Sequence, residues 1–178
     1  MIDPILIYAG SAALAGILLS GAIGKLASFA RFENATAGYA LLPANWVRPF
    51  AALFIAAELC SGMMLLVPTT RAGGAALAMA VLLLASAGIV ANLLRGRRDI
   101  DCGCGGFTEK TGGLSWWLVL RNSLLLALAV PALLAHYASA RSLSWVDALT
   151  FFGTTLAVLG LYFCLNQLID SHQRIQKT

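Results

Sequence analysis

Five stretches of this chain, at 4–29, 46–67, 72–94, 116–137 and 146–169, each run for more than 20 residues almost without charge. A helix rising about 1.5 Å per residue needs about 20 residues to cross a hydrocarbon core about 30 Å thick. Lipid offers no hydrogen bonds to the backbone, so only helices and closed barrels span it. The apolar runs lack the period-two alternation of a barrel strand. The predicted fold is therefore all-α: an integral membrane bundle of about five transmembrane helices. Residues 1–178 are read as one domain, with a polar loop over 95–115.

Composition agrees. The chain is 60% hydrophobic and only 11% charged, with a mean hydropathy of +0.82; a soluble domain carries about 25% charged residues. The net charge of +4 comes from basic residues spread over short loops, which argues against a nucleic-acid partner and makes the lipid bilayer the surroundings. Met1-Ile2-Asp3-Pro4 lacks the basic start of a signal peptide, so retention of the N-terminus is expected. With five spans, Arg71 and Arg141 fall on one side. Arg31, Arg48, Arg95, Arg97, Arg98, Lys110, Arg174 and Lys177 fall on the other. Excess Lys and Arg marks the cytoplasmic side, which predicts a cytoplasmic C-terminus and 95–115 loop.

Other features concern assembly. Ala12, Gly16, Ser20, Gly24 and Ser28 recur every four residues down one face of the first segment, the kind of stripe that lets helix backbones approach in lipid. Trp46, Trp116, Trp117 and Trp145 stand at segment starts, where an aromatic belt belongs. Asn92, Asn122, Asn166 and Gln167 read as hydrogen-bonders between helices. His136 and His172 fall near segment ends and carry no assigned role.

Three charges are out of place. Glu58 lies about 18 Å along the second segment from Trp46, near the membrane midplane, where an unpaired carboxylate is costly. Lys25 and Arg121 are its available partners, all three in the half of the membrane nearest the 95–115 loop. Two readings stay open: a buried pair that holds helices together, or a polar pocket that binds a ligand or cofactor.

The chain has four cysteines. Cys60 reads as a small hydrophobe within a helix, and Cys164, near the loop end of the fifth segment, as a candidate resolving thiol. Cys102-Gly103-Cys104 differs: it sits in the most polar stretch, followed by Gly105 and Gly106. A disulfide between thiols one residue apart closes a tight ring, and strain of that kind marks a labile bond. Arg95, Arg97 and Arg98 favour thiolate, while Asp99 and Asp101 oppose it. A redox dithiol leads. Capture of a soft ion such as Cu(I) and a purely structural loop are its rivals; no second C-x-C or nearby His completes a zinc set.

A five-span chain with LSGAIGKLASF ending its first segment, AAELCSGMMLL in its second and DIDCGCGG after its third resembles the methylamine-utilisation MauE family, within the wider DoxX-like group. The D-C-G-C loop, Asp101 to Cys104, is the most specific part. The resemblance implies a bacterial inner-membrane protein that helps mature methylamine dehydrogenase. That enzyme's exported small subunit, rich in disulfides, is the implied client, and a thioredoxin-like, MauD-like protein the implied partner. Cys102 and Cys104 would exchange thiols with that partner.

Disulfides form outside the cytoplasm, whereas the charge count places the C-x-C loop inside. Either electrons cross the membrane, with Cys60 and Cys164 as relay stations, or the orientation is inverted. In the second case a quinone in the pocket of Lys25, Glu58 and Arg121 is a sensible electron acceptor. Two alternatives to an oxidoreductase remain: a non-catalytic scaffold for the maturation machinery, and a small-molecule or metal transporter.

Overall fold

The computed structural model describes residues 3–100, 113–134 and 144–175. Among them are six helices and no strand: α1 (Pro4–Ala27), α2 (Phe29–Gly38), α3 (Ala44–Leu66), α4 (Arg71–Leu94), α5 (Trp116–Leu133) and α6 (Trp145–Ile175). Five of them, all but α2, are long and apolar enough to cross a membrane; in α6 the qualifying stretch is Trp145–Ile169. The chain is a multi-pass membrane protein. Spans start and stop within two residues of the predicted limits, except at the tail of α5. There the helix passes through Pro131 and ends at Leu133, before the expected limit at 137.

The extra element is α2, which the apolar-run reading did not find. Ser28 breaks the first helix with φ −126° and ψ 48°, and the chain restarts as ten residues, FARFENATAG. Phe32 and Ala35, three apart, are buried on one face while Arg31 and Asn34 are exposed. Ten residues rise only about 15 Å, too little to cross a hydrocarbon core.

Helix α1 is the hub, packing against α3, α5 and α6. Lys25 meets Glu58 and Leu19 meets Gly62, so α1 and α3 run antiparallel. Leu14, Ala15, Ile17 and Leu18 of α1 join Leu65 of α3, Ala75, Ala78 and Leu82 of α4, and Leu125, Ala129 and Ala132 of α5 in the main core. Small residues set these approaches. A Cβ on Gly16 would lie 3.3 Å from Leu159 of α6, one on Gly10 3.5 Å from Leu128 of α5, and one on Gly62 2.8 Å from Leu19. Of the small-residue stripe, Gly16 thus stands at the contact with α6.

The four tryptophans stand within the first three residues of α3, α5 and α6 and are each more than half exposed, as an aromatic belt requires. Helix α6 is the loosest span: no residue of its most apolar window is buried, against 56% in α1.

Candidate functional site

Lys25, in the last turn of α1, directs its ammonium at Glu58 in the middle of α3. Nζ lies 2.8 Å from both Oε1 and Oε2. Both residues are only 7% exposed, so the pair is shielded from solvent by protein. The Nζ also sits 5.7 Å from the Phe32 ring centre and 5.8 Å from that of Phe54, in range for cation–π attraction. The short helix α2 thereby contributes to the site: its Phe32 covers the ion pair. Gly21 lies alongside the pair: a Cβ there would be in ordinary contact with both, 3.5 Å from Nζ and 3.6 Å from Oε1. Helix packing alone would not demand charges in this place; once one is present, the other neutralises it.

Arg121 comes from α5 to the same place. It lines a cavity of about 50 Å³ with Lys25, Glu58, Asn122, Tyr162 and Gly21. Its Nη1 donates to Asn166 Oδ1 of α6 at 2.8 Å and its Nη2 to Asn122 Oδ1 at 3.4 Å. Asn122 Nδ2 in turn donates to Ser86 Oγ of α4 at 3.1 Å, and Ser86 Oγ to the Leu82 carbonyl at 2.7 Å. One polar thread thus ties α4, α5 and α6 beside the pair that ties α1 to α3. Asn122 and Asn166 link helices as their sequence positions suggest. Asn92 does not: it donates to Gly88 O of its own helix at 3.2 Å and accepts from Arg97 at 3.5 Å.

The three charges predicted to form one pocket therefore do share a cavity. Its volume suits a few waters and is too small for a quinone ring. Phe54 and Ala85 separate it from an apolar groove of about 380 Å³ between α2, α3 and α4. A quinone fits the polar cavity only if that wall moves.

Cys102 and Cys104 lie outside the described residues, as do Asp101, Lys110, His136, Arg141 and Lys177. The chain on either side of the cysteine segment is defined. Helix α4 ends in a Schellman-type turn: Gly96 adopts φ +74°, Gly96 N–H donates to Leu93 O at 3.0 Å, and Arg97 N–H to Asn92 O at 3.0 Å. A left-handed C′ position is where glycine is favoured. Two residues on, Arg98 O accepts from Leu114 N–H at 2.8 Å, which clasps the two flanks of residues 101–112 together. Gly113 is required there, because any Cβ would run into the Arg98 carbonyl. Leu114 is buried with Ile89, Leu93, Leu118 and Ile169, and Ile100 packs on this cluster. Ile100 Cγ2 also lies 3.2 Å from where a Gly38 Cβ would stand, which sets the clasp against α2. Sequence reasoning singled out the cysteines but not Gly113, whose only signal was a Gly-Gly pair ahead of the fourth apolar segment.

The remaining cysteines face outward. Cys60 of α3 and Cys164 of α6 are both exposed on the bundle surface with free thiols. Arg95, Arg97 and Arg98 are exposed at the end of α4, beside the clasp.

Comparison with known proteins adds a family. Residues 3–135 match the model of the family described as methylamine utilisation protein MauE, a match that stops short of α6. A protein from Methylophilus methylotrophus named methylamine utilization protein MauE is 42% identical over 102 residues, 57% of this chain and 54% of that protein. The protein of that name from Paracoccus denitrificans is 33% identical over 132 residues, 73% of this chain and 69% of its own length. The chain thus spans about half of the first relative and about two thirds of the second. No solved structure matches the chain significantly.

Proposed function

The chain belongs to the methylamine utilisation protein MauE family, and from that membership we propose that it is a membrane thiol–disulfide exchange factor in methylamine utilisation. Cys102 and Cys104 are the exchanging pair, a thioredoxin-like protein the partner, and the small subunit of methylamine dehydrogenase the client. One thiolate attacks a disulfide of the partner, forming a mixed disulfide and releasing a partner thiolate. The second thiolate attacks the mixed disulfide at the first cysteine's sulfur. The products are a Cys102–Cys104 disulfide and a partner dithiol, and the reverse sequence oxidises the partner. Cys164, exposed on α6, is a second candidate for the resolving step, in place of the second loop cysteine.

The observation that carries the reading is the clasp between Arg98 and Leu114. It fixes both ends of the cysteine segment to the bundle beside exposed Arg95, Arg97 and Arg98, whose charges favour thiolate. The test replaces each loop cysteine singly. Cys102→Ser or Cys104→Ser is expected to abolish maturation of the dehydrogenase, and one of them to trap a disulfide-linked complex with the partner. Full maturation with both single variants would end the proposal.

A scaffold reading has one observation in its favour: on α6 nothing lies within 4 Å of a Cβ built at Gly153 or Gly160, leaving that face open to another helix. A scaffold would retain its partner with both loop cysteines replaced.

A further inference from the structure

A further cavity lies at the opposite end of the bundle from the cysteine loop. It measures about 480 Å³ and opens between the start of α1, the turn joining α3 to α4, and the start of α6. Its walls are mostly apolar, among them Ile5, Leu66, Pro68 and Phe151, yet two charged residues line it, Arg71 and Asp147. Each is only 8% exposed.

Arg71 is held in place from two sides. Its guanidinium carbon stacks 4.6 Å from the centre of the Tyr8 ring, and its Nε donates to the Leu65 carbonyl at 3.4 Å. These contacts leave Nη1 and Nη2 with no hydrogen-bond partner among the described residues. The guanidinium is thus fixed, with Nη donors available to an anion in an otherwise mostly apolar pocket. Asp147 Oδ2 accepts from Ser144 N–H at 2.7 Å and Ser144 Oγ at 3.1 Å, so this carboxylate caps α6.

We propose that this cavity holds the phosphodiester of a membrane phospholipid, its phosphate oxygens bound by the Arg71 Nη groups and its glycerol and first acyl carbons lying against the apolar wall. Three features select a lipid over free phosphate. The residues stand at helix ends, level with the water boundary where headgroups lie. The walls suit hydrocarbon, which inorganic phosphate does not supply. The neighbouring Asp147 carboxylate repels a dianion more than the single charge of a diester. Basic pockets between spans are known headgroup sites in general. The lipid also serves the fold, because α6 reaches the bundle chiefly through α1 and the cavity is the gap left between α6 and the α3–α4 turn.

The test uses the full chain, purified and stripped of lipid in detergent. Titration with phosphatidylethanolamine, followed by native mass spectrometry, is expected to show one saturable site and a raised melting temperature, while inorganic phosphate gives neither. Arg71→Gln should weaken the lipid affinity about tenfold or more, whereas Arg97→Gln, an exposed arginine at the other end, leaves it unchanged. Absence of saturable lipid binding by the unsubstituted protein overturns the proposal whether or not Arg71→Gln folds. Equal affinity in folded Arg71→Gln overturns it too, as does saturation by inorganic phosphate alone.

Discussion

Lys25 and Glu58, separated by 33 residues in sequence, meet through two contacts of 2.8 Å between one ammonium and both oxygens of one carboxylate. Neither charge is tolerable alone at that depth. The arrangement makes each residue the condition for keeping the other, so the pair fixes how far α1 slides along α3.

Removing one partner is therefore worse than removing both. Lys25→Ala is expected to destabilise the folded bundle by about 3–5 kcal/mol, because it takes from the buried Glu58 carboxylate the ammonium that faces both its oxygens. Lys25→Met combined with Glu58→Leu should cost less than Lys25→Ala. Unfolding in mixed micelles with rising SDS, followed by loss of helical signal, measures both.

The tie between α5 and α6 is a second target. The two helices share few contacts, and the Arg121–Asn166 hydrogen bond of 2.8 Å is prominent among them. Asn166→Leu is expected to cost about 1 kcal/mol, in the usual range for hydrogen bonds between spans, and to raise proteolysis within α6 before the other helices are cut. Limited proteolysis with mapped fragments reads this directly.

Two adjacent glycines provide an internally controlled comparison. A Cβ at Gly74 would stand 2.8 Å from the Leu65 backbone nitrogen, whereas one at Gly73 meets only the tip of Met64 at 3.2 Å. Backbone cannot retreat as a methionine methyl can. Gly74→Val should lower stability by about 1–3 kcal/mol more than Gly73→Val, seen as a difference in melting temperature.

The clasp predicts a separation of fold from activity. Gly113→Val forces the chain away from the Arg98 carbonyl at a point outside the spans. Helical content should stay at the unsubstituted level while trapping of partner by the Cys102→Ser or Cys104→Ser variant falls several-fold. Circular dichroism and non-reducing gels report the two quantities.

The five spans were readable because hydrocarbon thickness imposes a length that few other contexts demand. Even α5, with Arg121 and Pro131 inside it, kept its helix, since neighbouring helices and side chains satisfy what a proline frees. Helix α2 was not readable. Its ten residues are too few for a span, and its buried face rests on just Phe32 and Ala35; its place follows from contacts distant in sequence, Phe32 over Lys25 and Gly38 against Ile100. The charged cluster was legible as an anomaly of depth, and Lys25 does pair with Glu58. The part taken by Asn166 was less so, because it depends on which faces α5 and α6 turn to each other. The clasp was invisible for a different reason: a carbonyl–amide bond between Arg98 and Leu114 leaves no trace in side-chain chemistry.

The packing of Ile100 on Gly38 makes a ten-residue helix the footing of the Arg98–Leu114 clasp. A side chain at Gly38 would press on an Ile100 methyl 3.2 Å away, so bulk added to α2 at that position would be felt first at this footing and only afterwards in the spans.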